Sequence, residues 1–238
     1  MKAIISLVAI ILLGSCSQQQ EIINGDVLAS EIKGYWEGEQ QFFVVWDSLM
    51  LHPTKRTWGF HTYTLTDDLL AVDNANSTGS ILKLLKLNTD SLVLEQGNKI
   101  LRYSRAKPVN PELAFSKINF STGPCEGDCP VFDLTIDGSG QVEYVGKLYS
   151  EKLGEHHGQL PQQLVKNLNE LLSHIDFQKV SENQLPPPAD NPQSELRIKL
   201  KNNQAVQVEN GAADVRYNAL LNVLYNLDGI VELKNKTP

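Results

Sequence analysis

"VFDLTIDGSGQVEYVGKLYS", Val131–Ser150, decides how the carboxy-terminal half folds. Phe132, Leu134 and Ile136 alternate with Asp133 and Thr135, the period-two pattern of a strand with one buried face. "DGSG" at 137–140 supplies a hairpin turn, and "QVEYVGKLYS" returns as the partner strand. Upstream, "SKINFS" alternates through Ile118 and Phe120 and predicts a further strand. Downstream, a helix is expected from Pro161, a residue suited to a first helical turn. Leu164, Val165, Leu168, Leu171, Leu172 and Ile175 give it one apolar stripe. His174 falls in its last turn, where a cation complements the helix dipole.

The plan then repeats. "QLPPPADNP" at 184–192 is an extended crossover, because its prolines forbid a helix. In "SELRIKLKNNQAVQVE", Leu196, Ile198 and Leu200 face one way and Arg197, Lys199 and Lys201 the other, with a turn at "NN". "AADVRYNALLNVLYNLDG" predicts a second amphipathic helix, with Val215, Ala219, Leu220, Val223, Leu224 and Leu227 as its stripe and Gly229 just past its end. One-sided strands followed by one-sided helices predict, over 114–238, an antiparallel sheet with two helices on one face.

Residues 28–106 have a different character. "GYWEGEQQFFVVW", "TWGFHTYTL", "SILKLLKL", "DSLVLEQ" and "KILRYSR" read as short strands between turns, an antiparallel meander curled on its apolar face. Gly34-Tyr35-Trp36 resembles the G-x-W that opens the first strand of lipocalin-like barrels. That resemblance implies a basic residue of the last strand over the tryptophan, a part open to Arg102 or Arg105. A lipocalin has eight strands and this block only about 79 residues, so a small barrel or half-barrel is expected. The fold class is therefore α+β. Trp36, Trp46 and Trp58 cluster here with Phe42, Phe43, Phe60 and Tyr63. Two readings stand: a surface or pocket for a ligand or partner, and the filled core of a small barrel, which is favoured. "RAKPVNPEL" breaks the periodicity and places a linker at 107–113.

At the amino end, Lys2 precedes an apolar run from Ala3 to Leu13, too short to span a bilayer and of secretory length. "LGSC" then resembles the lipobox of bacterial lipoprotein precursors. The resemblance implies a signal peptide over 1–15, acylation of Cys16 and a polar tether to residue 27. Ser17, rather than Asp, implies the outer membrane, facing the periplasm or the cell surface. Two or three acyl chains suffice for stable anchoring. Loss of Lys2 takes 21 basic residues to 20 against 28 acidic ones, which argues against nucleic acid as a partner.

An exported chain meets an oxidising compartment, and with Cys16 acylated only Cys125 and Cys129 remain. Gly127 lets the spacer curl and Pro130 fixes its exit, so a local disulfide clasp is expected. Zinc is a rival, but it needs about four ligands, and the adjacent His156 and His157 diverge on a strand or helix. A redox dithiol is another, although Glu126 and Asp128 disfavour a thiolate. "GPCEGDCPVFDLTIDGSGQVEYVG" is also similar to the signature of an uncharacterised domain-of-unknown-function family of envelope lipoproteins. That likeness implies one domain built around this loop and transfers no activity.

No nucleophile elbow, phosphate loop, H-E-x-x-H or EF-hand loop occurs, so neither a metal nor another cofactor is expected. The expectation is a membrane-anchored binding or interaction module rather than an enzyme, its partner an envelope protein or small ligand. The alternative is a small periplasmic enzyme or thiol–disulfide protein centred on Cys125–Cys129, with Glu126 and Asp128 as carboxylates at its mouth.

Overall fold

The computed structural model describes residues 30–39, 41–47, 49–53, 58–72, 80–184, 193–210 and 214–236. The expected signal peptide, Cys16 and the tether lie outside these residues, as does most of the 184–192 crossover.

Eight strands pair antiparallel in chain order: β1 (Gly34–Glu37), β2 (Phe42–Val45), β3 (Leu49–Pro53), β4 (Trp58–Thr66), β5 (Leu69–Val72), β6 (Ser80–Leu87), β7 (Ser91–Gln96) and β8 (Lys99–Arg105). β1 also pairs with β8, Trp36 opposite Arg105, which closes the barrel and corrects the half-barrel alternative. Strands as short as 4 residues explain how eight of them fit into so little chain. Closure leaves no open sheet edge to template aggregation. Trp36, Phe43, Val45, Met50, Leu82 and Leu92 are among the side chains that fill the interior.

One end of the barrel is capped by Arg105. Its guanidinium lies 3.7 Å from the centroid of the Trp36 ring. It also donates to the backbone carbonyls of Thr89, Lys33 and Glu31. Of the two candidate arginines, then, Arg105 packs over the tryptophan. Gly34 is tied to the same contact: its φ is +123°, and a Cβ there would strike the Arg105 guanidinium. The Trp36 indole N–H donates to the Ile32 carbonyl at 2.7 Å.

The second sheet has seven strands: β9 (Phe115–Thr122), β10 (Val131–Asp137), β11 (Gln141–Leu148), β12 (Gly154–Gln159), β13 (Ser194–Leu200), β14 (Ala205–Glu209) and β15 (Lys234–Asn235). Their order is β14-β13-β9-β10-β11-β12-β15, antiparallel throughout. Both expected hairpins form, and β13 joins them by pairing with β9, Leu196 opposite Phe120. β12, "GEHHGQ", carries too little apolar alternation to be read from sequence; backbone pairing with β11 holds it.

Among the described residues, four helices are interleaved with these strands: α1 (Gln162–Ser173) and α2 (Phe177–Glu182) between β12 and β13, and α3 (Val215–Tyr225) and α4 (Leu227–Ile230) between β14 and β15. α1 starts after Pro161, as expected. Asp214 caps α3 by accepting from the backbone N–H groups of Arg216 and Tyr217. The second helix breaks at Asn226, so Gly229 lies within α4 and not beyond the helix end.

α1 and α3 cover the apolar face of the sheet. The barrel's outward-facing Tyr35, Phe42, Val44, Trp46 and Leu51 belong to the same core. The layers are thus barrel wall, helices and sheet. A helix between two layers must be apolar on more than one side, which is why α3 buries Tyr217 and Leu221 outside the stripe read from sequence. β2 is buried on both faces for the same reason, Phe43 and Val45 inward, Phe42 and Val44 toward the helices.

Polar contacts fix this junction. The Tyr35 hydroxyl donates to the Asn167 carbonyl at 2.9 Å. Arg216 pairs with Glu37 at 2.5 Å and donates to the His174 carbonyl at 2.9 Å. His174 is 5% exposed, its ring 4.4 Å from that of Tyr35, and its Nδ1 has no hydrogen-bond partner among the described residues. Burial pushes its pKa down to about 4, against a raising hydrogen bond to the Lys107 backbone and with a lowering contribution from Arg216. The ring is neutral at pH 7, which corrects the reading of a cation at the helix end.

Candidate functional site

The signature loop leaves β9 at Thr122 and returns at Val131. Thr122 closes its neck: the hydroxyl donates to the Pro130 carbonyl at 2.8 Å and accepts from the Phe132 N–H at 3.0 Å. The Gly123 N–H donates to the Gln193 carbonyl at 2.7 Å, which ties the loop to the entrance of β13. Cys125 and Cys129 are bridged, with their Cα atoms 5.8 Å apart. Glu126 and Asp128 are exposed on the loop.

The histidines do not join this loop. His156 is buried on the inner face of β12, with Nε2 3.0 Å from the Leu153 carbonyl, and His157 points to the opposite, exposed face. Among the described residues no group of three His, Cys, Asp or Glu side chains is placed to hold a metal ion.

Two concavities flank the loop. The first is an open groove of about 640 Å³ on the polar face of the sheet, lined by Ser121, Asp133, Lys147, Glu195 and Arg197 among others. Two of its three carboxylates are paired: Lys147 with Asp133 and Arg197 with Glu195, each at 2.6 Å, while Glu209 meets the Gln207 amide. The second is a cleft of about 700 Å³ where the helical cover ends at Tyr225. Its floor is Phe132 and Tyr144, stacked with ring centroids 5.2 Å apart. Tyr225 stands edge-on to Phe132 at 6.0 Å. Pro130 brings the clasped loop to one wall, and Leu49 and Thr62 bring the barrel to another.

The β11–β12 connection forms the rim. Gly146 lets it fold back closely, since a Cβ there would run into the Lys152 carbonyl. The Ser150 hydroxyl donates to the Val131 carbonyl at 2.9 Å, and the Lys152 ammonium to the Asp228 carbonyl at 2.8 Å. Tyr149 sits at φ +54°, uncommon for a non-glycine residue, with its side chain 55% exposed. Glu151 and Asp228 supply carboxylates. Burial raises the pKa of Tyr144; a side-chain hydrogen bond with Ser150 opposes the rise, and Asp228 and Glu151 add to it.

The sequence candidates are dispersed. Trp36 lies wholly inside the barrel, and Trp46 is 6% exposed between barrel and helices, its indole N–H 3.3 Å from the Tyr35 hydroxyl. Neither offers a surface to a partner; both supply apolar area to cores. Trp58 belongs to β4, but its side chain is outside the described residues. Glu126 and Asp128 line neither concavity. Tyr149, Glu151, Tyr225 and Asp228 were not singled out by pattern, because they come together only when a hairpin end meets a helix end. The legible pointers are Pro130, Phe132 and Tyr144, inside the cysteine signature.

Residues 116–231 match a protein family described as a domain of unknown function (DUF6438). The match contains the loop and most of the cleft, and excludes the barrel. No curated protein and no solved structure matches the chain.

Proposed function

We propose that this protein is an outer-membrane lipoprotein, acylated at Cys16, whose α+β unit binds a small ligand or a segment of an envelope partner in the cleft beside the clasped loop. The cleft carries the reading: it has the volume of a ligand pocket and joins an aromatic floor to a few polar groups at a domain junction. The barrel then serves as a scaffold. Its Gly34, Trp36 and Arg105 constellation supports a lipocalin-like reading, and its filled interior supports a structural part for it. Thiol–disulfide exchange finds less support, since the loop meets the cleft through Pro130 and His156 is not among the lining residues.

The test is capture from the native envelope in mild detergent, comparing the wild-type chain with Tyr149→Ala and Asp228→Asn variants by mass spectrometry of everything that co-purifies. A component recovered with wild type and lost from both variants supports the proposal. The same set recovered with all three chains refutes it.

A further inference from the structure

We infer that the cleft binds an organic cation, its alkylammonium group against the tyrosine rings and its charge met by Glu151 and Asp228. The inference rests on the cleft being the binding site proposed above. Three tyrosines and a phenylalanine line it, and among the described residues the charged side chains in its lining are those two carboxylates. Lys152, on the rim beside Glu151, turns its ammonium to the Asp228 backbone carbonyl. Neither carboxylate forms an ion pair among the described residues. The polar groove is the internal contrast, because it holds the cations Lys147 and Arg197, which pair with Asp133 and Glu195, two of its three carboxylates.

Aromatic faces carry negative charge density and attract a cation, most strongly when it is desolvated. Carboxylates at the same opening reinforce that preference and repel anions. Tyr149 adds an independent sign. A large aromatic held half in water, in an uncommon backbone conformation, does little for the core; strain of this kind is concentrated at ligand clamps. The hydrogen bonds of Ser150 and Lys152 hold the rim that carries it.

The probe pair is choline and its neutral isostere 3,3-dimethylbutan-1-ol, titrated into the full processed chain by calorimetry and by NMR of the tyrosine rings. Choline is expected to bind about tenfold more tightly than the isostere, and more weakly as salt is added. The Glu151→Gln, Asp228→Asn double variant should lose that difference, and Tyr149→Ala should weaken choline about tenfold, both with unchanged circular dichroism. Equal binding of the two probes would overturn the cation preference and leave the cleft as a binding site. Binding of neither probe, with envelope capture still lost in the Tyr149→Ala and Asp228→Asn variants, would overturn this inference alone. Binding of neither, with capture unaffected, would sink both.

Discussion

Acidification tests the buried junction through one side chain. His174 is 5% exposed, packed on Tyr35, and faces the Arg216–Glu37 ion pair. Its pKa falls from 6.5 to about 4 on folding. Between those values the unfolded chain binds a proton at this site and the native chain does not, so stability rises with pH. The contribution is fully present above pH 6.5, declines as the pH falls, and is gone below about 4. At about 1.4 kcal/mol per pH unit, the loss across the window is about 3 kcal/mol. Urea denaturation from pH 7.5 to 4, on wild type and His174→Gln in parallel, isolates it, because carboxylate contributions common to both chains cancel. The wild-type stability should fall by about 3 kcal/mol more than that of the variant. Parallel curves would mean that water reaches the ring in the native state, and that barrel and helices are not closed over one core.

Other perturbations address the barrel cap and the loop. Arg105→Ala removes a guanidinium stacked on Trp36 and hydrogen-bonded to three carbonyls, and should lower stability by about 2 kcal/mol in the same denaturation assay. Arg105→Lys should recover little of this, since an ammonium cannot span the same three acceptors and stack as well. Gly34→Ala should lower the denaturation midpoint by a comparable amount, because it forces a positive φ on a residue with a Cβ and displaces Arg105. Reducing the Cys125–Cys129 bridge should cost about 2 kcal/mol at most and leave the far-ultraviolet circular dichroism unchanged, since the closed ring is small and its neck is already held by Thr122.

Much of the carboxy-terminal unit was legible because its strands have one wet face. The alternation of Phe132, Leu134 and Ile136 survives into the structure, and all three are buried. What sequence missed, it missed where a second layer arrives. Alternation disappears in "FFVV", where one face fills the barrel and the other meets the helices. The stripe on α3 understates its burial because a helix with neighbours on two sides has no single apolar face. His174 was read from its position in a helix, and tertiary packing overrode that position. The barrel was undercounted because strands of 4 residues are shorter than the usual five or six. The cleft was hidden for a different reason: Tyr149 and Glu151 lie past the end of one strand and Tyr225 and Asp228 at the end of a distant helix, where no periodicity marks them.

The most direct test of the account is the intact mass of the protein recovered from its native cells. The prediction is a chain that begins at an acylated Cys16 and lacks the two thiol hydrogens of Cys125 and Cys129. A full-length chain starting at Met1, without acyl groups and with both thiols free, would contradict it.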